Sequence, residues 1–328
     1  MKVIQLGIGG AGDAWIRAVL SSSEVEFAGF VEVNDAIIIK QAERYNLNRA
    51  IIFDTLDKAL HEVSADAVIV VTPPQFHRDY SVQALRAGLP VLSEKPLADT
   101  FEAAQDIVAT SERTGRLHAI SQNYRYRAST QTVKQMLASG ELGRIGSGTV
   151  EWSLGTRFGG YRERMPYPQL IDGAIHYFDL MRFFIGAEPV SVIGRSWNPP
   201  WSWYRTDASA SIVVEFDTGV VMTFWVSWCA RQSKEWSRWR IECEHGVLTL
   251  EQEKVTVDRA GEEAPPPVKL LDMERENRAY TLHEFYEAVR LGRPYATNCK
   301  DNIKSLAMVF KAIEACETGA TIRFDPPA

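Results

Sequence analysis

The chain has 328 residues, 45% of them hydrophobic and 24% charged, with a formal net charge of −6. That length suits two domains with sizeable cores, and the acidic balance argues against nucleic acid or an anionic membrane as a partner. The opening MKVIQLGIGG carries no signal-peptide pattern, no run approaches a membrane span, and Cys229, Cys243, Cys299 and Cys316 form no CxxC pair, so a reduced cytoplasmic protein is expected.

The first third alternates short apolar runs with helical patterns. Strands are expected at Val3–Leu6, Glu26–Val31, Ala67–Val71, Val91–Leu92 and Leu117–Ile120, and helices at Ala14–Leu20, Ala36–Tyr45, Tyr80–Ala87 and Phe101–Thr114. Such alternation predicts a parallel sheet covered on both faces. After residue 122 the texture changes. Helices over Ser129–Ala138 and Ile171–Ile185 are followed by period-2 runs at Ala208–Phe216, Val220–Trp228, Trp236–Cys243 and Val247–Leu250, with helices at Tyr280–Leu291 and Ile303–Glu317. Period-2 runs with tight turns predict an open, mostly antiparallel sheet. The fold class is therefore an α/β dinucleotide-binding domain over residues 1–122 and an α+β domain for substrate and oligomer contacts over residues 123–328. The histidines and cysteines show no metal-ligand spacing, and no metal is expected.

Gly7-Ile8-Gly9-Gly10-Ala11-Gly12 matches GxGxxG, follows a strand and opens a helix. In that setting Gly7 permits the tight turn, Gly9 lets the backbone approach a pyrophosphate, and Gly12 allows close helix–strand packing. The amides at the helix start, from Gly10 and Ala11 on, face the diphosphate. Glu32 ends the second strand, where a carboxylate bonds ribose hydroxyls and repels a 2′-phosphate; NAD is expected over NADP, with Asn34 nearby softening the choice.

With that motif placed, the rest of the chain resembles the Gfo/Idh/MocA family, the glucose–fructose oxidoreductase and inositol dehydrogenase group. Val70-Val71-Thr72-Pro73-Pro74-Gln75-Phe76-His77 is similar to the strand exit that passes the nicotinamide ribose, and Glu94-Lys95-Pro96 to the EKP signature. Asn123-Tyr124-Arg125-Tyr126 resembles the segment that opens the second domain, and Asp172-xxx-His176-xx-Asp179 the DxGxHxxD helix. The resemblance implies a Rossmann domain, a second-domain sheet that mediates a homodimer or homotetramer, and hydride transfer on a sugar or polyol. It also implies that Thr72, Pro73, Pro74, His77, Glu94, Lys95 and Asn123 lie on the cofactor side. Two departures fall where substrate would lie: Ala174 stands where the family has glycine, with Gly173 beside it, and Pro166-Tyr167-Pro168-Gln169 replaces a glycine run.

Oxidising a secondary alcohol needs a base for the hydroxyl proton and a group that stabilises the developing alkoxide. Asp172 and His176, four apart on a helix, share a face. Imidazole titrates near neutrality, so His176 is the candidate base, Asp172 orients it or holds a second hydroxyl, and Lys95 stabilises the reacting oxygen. Tyr124, Arg125, Arg157 and Tyr161 are candidate polyol-binding groups, alongside Lys95, Asp172 and His176. Asp179 reads as structural, and most tryptophans as sheet packing or an oligomer interface. Two alternatives remain open: an NAD-dependent enzyme that cleaves glycosides through transient oxidation, and a non-catalytic dinucleotide-sensing regulator.

Overall fold

The computed structural model describes residues 1–160, 162–232, 234–263 and 266–324. The chain divides into two compact units: Met1–Tyr126 with Arg275–Lys304, and Arg127–Glu274 with Ser305–Ala328.

In the first unit six strands, β1 (Lys2–Leu6), β2 (Glu26–Val31), β3 (Ile52–Phe53), β4 (Ala67–Val70), β5 (Val91–Glu94) and β6 (His118–Ser121), form one parallel sheet in the order β3-β2-β1-β4-β5-β6. The helices between them are α1 (Ala11–Leu20), α2 (Asp35–Tyr45), α3 (Leu56–Glu62), α4 (His77–Arg86) and α5 (Phe101–Thr114). Their ends follow from local chemistry. The Asn34 carboxamide accepts from the amides of Ala36 and Ile37 at the start of α2, and the Thr100 hydroxyl from Ala103 at the start of α5. Gly115 closes α5 in the left-handed conformation at φ 64°. Strand order reverses between β1 and β4, and the crevice outside their carboxyl ends is where such sheets take ligands.

In the second unit α6 (Ala128–Ala138) precedes β7 (Ile145–Ser153), and a π-helical turn (Gln169–Ala174) leads into α7 (Ile175–Ile185). Strands β8 (Pro189–Trp197), β9 (Ser209–Phe216), β10 (Val221–Ser227), β11 (Trp236–Cys243), β12 (Gly246–Glu251), β13 (Lys254–Asp258) and β14 (Ile322–Arg323) complete an eight-stranded sheet ordered β13-β12-β11-β7-β10-β9-β8-β14. It is antiparallel except where β7 runs parallel to β10. Tyr177, Phe178 and Phe184 of α7 pack on Phe224 and Trp239 from the inner face of the sheet.

The chain returns to the first unit as α8 (Asn277–Leu291), and α9 (Cys299–Thr318) runs across the division at Lys304. The 123–328 block is therefore interrupted. Leu282 and Phe285 of α8 are buried with Val3, Trp15, Ile69 and Leu92, each contributing about 1.5–3 kcal/mol, which ties this helix to the nucleotide sheet.

Two other features depart from the sequence expectation. β7, the central strand of the second sheet, lacks a strand-like pattern because Gly146 and Gly148 interrupt it. Gly148 is required there, since a Cβ would lie 2.8 Å from the Met222 side chain and 2.9 Å from the Arg240 carbonyl. The single helix expected over Ile171–Ile185 begins as a π turn instead. The four cysteines are unpaired thiols. Among the described residues no helix is long and apolar enough to cross a membrane.

Candidate active site

The nucleotide half of the site is built on the first unit's backbone. Gly7 has φ 82°, and a Cβ there would sit 2.6 Å from the Val71 carbonyl oxygen. A Cβ on Gly12 would sit 2.4 Å from the Gly7 oxygen, and one on Gly9 would sit 2.9 Å from Ile37 Cδ1. Only glycine fits at Gly7 and Gly12, where the obstacle is backbone, whereas at Gly9 the end of the Ile37 side chain would have to turn aside. At the start of α1 the Gly12 and Asp13 amides donate back to the Gly9 and Gly10 carbonyls at 2.8 and 3.2 Å. Glu32 is held at the end of β2: its Oε1 accepts from the amides of Val33 (3.0 Å) and Asn34 (3.1 Å), and its Oε2 from Ile8 (3.2 Å). The Thr72 hydroxyl at the end of β4 is buried with no hydrogen-bond partner. A cradle that a Cβ would fill, an anchored carboxylate and an orphaned hydroxyl all fit a dinucleotide.

Two cofactor-side candidates are tied to other segments of the first unit. His77 is buried at the start of α4, with Nδ1 2.8 Å from the Pro96 carbonyl and Nε2 2.8 Å from the Thr72 carbonyl. Both nitrogens are thus engaged by backbone, so His77 ties the Thr72 loop to the segment after Lys95 rather than offering a ring nitrogen to a ligand. Burial pushes its pKa down, and the two carbonyls oppose that. Glu94, the last residue of β5, is also buried. Its Oε1 accepts from Trp15 Nε1 and Arg278 Nε, each at 2.8 Å, and its Oε2 from the Lys95 amide at 3.3 Å. Glu94 is thus tied to α1, to α8 and to the backbone of Lys95. Lys95 follows, half-buried, and its peptide bond to Pro96 is cis.

The 3-10 turn over Asn123–Tyr126 holds three further candidates. Asn123 Nδ2 donates to Asn277 Oδ1 at 3.4 Å, while Tyr124 is half-buried. Arg125 is buried and pairs with Asp301 at 3.4 Å.

The second unit carries the candidates Asp172 and His176. Asp172 and His176 are both buried, one on the π turn and one in the first turn of α7. Arg162 Nε donates to Asp172 Oδ2 at 2.5 Å, and its guanidinium lies 5.2 Å from the Phe158 ring centroid. Gly173 explains the displaced glycine of the sequence: a Cβ there would lie 2.4 Å from Trp152 and 2.8 Å from Trp228. The two indoles cross edge to face at 5.7 Å, walling the turn that carries Asp172. π turns of this kind recur at functional sites. Asp179 accepts from Ser305 at 3.0 Å, as a structural acid does. Arg157 is exposed and stacks over Trp203 at 4.9 Å, and Tyr161 lies outside the described residues.

Sequence reasoning missed Trp15, Arg278 and Arg162. Arg278 is 184 positions from the glutamate it holds, and no local pattern marks it.

Residues 1–122 match the family model described as oxidoreductase family, NAD-binding Rossmann fold, and residues 130–249 match the GFO/IDH/MocA C-terminal domain. Protein y4oX of Sinorhizobium fredii is 27% identical over 346 residues, covering 98% of this chain and 95% of that protein. A 1,5-anhydro-D-fructose reductase of Ensifer adhaerens is 24% identical over 278 residues, 81% of each chain. An oxidoreductase from Agrobacterium radiobacter, crystallised with NAD+, L-tartaric acid and magnesium, superposes with a TM-score of 0.88 at 18% identity over 98% of each chain, which is a likeness of fold.

Proposed function

We propose that this chain, which belongs to the Gfo/Idh/MocA family of NAD(P)-dependent sugar and polyol oxidoreductases, is an NAD-dependent dehydrogenase of a secondary alcohol on a monosaccharide, inositol or related polyol. The single observation that carries the choice of chemistry is that Asp172 and His176 are both buried, one helical turn apart, because a pure nucleotide sensor has no use for proton machinery. Bound nicotinamide supplies the hydride acceptor. Gly7, Gly9 and Gly12 admit its diphosphate, Gly10 and Ala11 present amides to it, and Thr72, Pro73 and Pro74 line the exit of β4. Glu32 engages the ribose hydroxyls and disfavours a 2′-phosphate.

On the substrate, His176 Nε2 takes the hydroxyl proton as hydride leaves the carbon. The Lys95 ammonium donates to the same oxygen and stabilises its growing negative charge. Asp172, fixed by Arg162, sets the local charge at the base and engages a second hydroxyl. The reductase of Ensifer adhaerens supports a sugar as substrate, and the NAD+ complex from Agrobacterium radiobacter supports the cofactor.

A homo-oligomer through the second-unit sheet belongs to the same proposal. Ile193, Trp197, Val221 and Trp225 are 37–42% exposed, and the strand register puts all four on the face opposite Phe224. An apolar row of that size on a sheet surface favours a partner sheet; sedimentation as a monomer at micromolar concentration contradicts it. The unpaired thiols support a reduced, cytoplasmic setting.

The decisive experiment is a coupled screen with NAD and, separately, NADP over inositols, aldoses, 1,5-anhydro sugars and glycosides. Net NADH from a free sugar or polyol, with NAD preferred, supports the assignment. Glycoside cleavage without net NADH points to the transient-oxidation route, and nucleotide binding with no turnover on any class points to a regulator.

A further inference from the structure

Three side chains behind the glycine loop hold its peptide groups, and one of them reaches in from the second helix. We infer that Gln41 of α2, backed by Gln5 of β1, is a positioning residue for the cofactor: by taking the Ile8 carbonyl it aims the Gly9 amide at the diphosphate. The inference rests on the dinucleotide reading of the loop and goes beyond it in naming what sets the loop's amides.

A trans peptide is planar, with its C=O and N–H pointing in opposite directions, so fixing one end of the plane aims the other. The Gly7–Ile8 peptide has both ends fixed. Gln5 Nε2 donates to the Gly7 carbonyl at 3.0 Å on one side, and the Ile8 amide donates to Glu32 Oε2 at 3.2 Å on the other. The same Gln5 nitrogen donates to the Gly12 carbonyl at 3.0 Å, so one NH2 group pins both ends of the motif. The next peptide, Ile8–Gly9, is held at its carbonyl: Gln41 Nε2 donates to the Ile8 oxygen at 2.8 Å. The Gly9 amide then points away from Gln41, and among the described residues it has no acceptor. Ile37, one turn before Gln41 on α2, closes on Gly9 from the same helix, with Cδ1 2.9 Å from where a Cβ would stand.

Packing alone does not explain two glutamines here. Gln5 is wholly buried and Gln41 is 4% exposed, and the Oε1 atom of each is buried with no hydrogen-bond partner. An unpaired buried acceptor costs stability, so an apolar side chain of the same length would fill either place at less cost. What the Gln41 amide adds is a donor to the Ile8 carbonyl. Gln41 also lies on the helix that follows Glu32, so a single stretch of ten residues carries both the ribose carboxylate and the group that aims the Gly9 amide.

The test uses the full chain, with ADP-ribose and adenosine as probes titrated by intrinsic fluorescence. ADP-ribose carries the diphosphate and adenosine does not. Gln41→Met keeps the length and loses the donor. It is expected to weaken ADP-ribose about tenfold, as for one aligned hydrogen bond, and to leave adenosine within about twofold. With the best substrate from the screen, the KM for NAD rises by a similar factor while kcat is kept, the split that marks a group acting on binding. Gln41→Glu sets an acceptor against the Ile8 carbonyl and weakens ADP-ribose at least as far. A merely structural glutamine, whose loss shifts α2 and Glu32 together, weakens both probes alike, and that result overturns the inference. Unchanged ADP-ribose affinity in Gln41→Met overturns it too. Should Gln41→Met fail to fold, Gln5→Met is titrated in its place: the same selective loss supports the inference, and an equal or absent loss overturns it. A wild-type chain that binds no ADP-ribose overturns the dinucleotide reading and this inference with it, whereas wild-type binding with an unselective or silent Gln41→Met overturns this inference alone.

Discussion

Gly12 and Gly173 each stand where no side chain fits, and they answer to different neighbours. The obstacle to a Cβ on Gly12 is the carbonyl of Gly7, five positions back in the same loop. The obstacles at Gly173 are the indoles of Trp152 and Trp228, brought in by β7 and by the segment after β10. The glycine loop is thus shaped by backbone against backbone within a dozen residues. The Asp172 turn is shaped by side chains from distant strands and loops, with Arg162 setting Asp172 from outside its helix. A local constraint leaves a motif in the sequence, and a long-range constraint leaves a residue that looks like any other.

Separating binding from rate sharpens the contrast most. His176→Ala is expected to lower kcat about a hundredfold and to remove the acid limb of the pH–rate profile, because that limb reports protonation of the general base. NAD affinity, measured by fluorescence, stays at the wild-type value. Loss of NAD binding in that variant breaks the division of labour between the glycine loop and the Asp172 turn.

The glycines reverse the pattern. Gly12→Ala forces the loop apart at a backbone atom that cannot move cheaply, so NAD affinity is expected to fall about tenfold or more, as for other overpacked sites. Titration with NAD reads it, and unchanged affinity contradicts the cradle. Gly173→Ala drives a methyl group into two packed indoles, costing about 1–3 kcal/mol in a denaturant melt while NAD affinity is kept. A neutral Gly173→Ala means the indoles yield, and that the wall they form is soft.

The smallest effect is on stability against pH. Burial pushes His118 down to about 3 from 6.5, and lowers His77 as well. The unfolded chain therefore takes up protons that the folded first unit refuses. For His118 that stability is intact above pH 6.5 and is lost as pH falls from there toward 3, at roughly 1 kcal/mol per pH unit. A thermal melt that is flat across that range contradicts the neutral, buried state of the His118 ring, and His118→Gln should lower the slope.

The legibility of the chain follows the same line. The nucleotide sheet was readable because its strands are short apolar runs between glycine and capping signals, down to Thr100 and Gly115 at the two ends of α5. β7 was not, because its glycines serve Met222 and Arg240 on neighbouring strands and erase the alternation. The extent of the first unit was missed for a related reason: α8 is amphipathic anywhere, and only the contact of Leu282 and Phe285 with Trp15 and Val3 assigns it. At the candidate site, Lys95, Asp172 and His176 were proposed from spacing and resemblance. The partners that hold Glu94, Trp15 and Arg278, were not legible, because they lie far from it in the chain and carry no local mark of the contact.

The most direct test of the central claim is a single-turnover measurement of NADH formation by Lys95→Ala, with NAD affinity measured on the same preparation. Hydride transfer assisted by Lys95 predicts that NAD binds as in the wild type while NADH forms on the order of a hundredfold or more slowly, as for removing one aligned donor at a developing negative charge. An exposed Glu–Lys pair of the ordinary kind contributes about 0–1 kcal/mol and predicts almost no change. NADH formation in Lys95→Ala at close to the wild-type rate contradicts the catalytic account and leaves a nucleotide-binding protein of this fold.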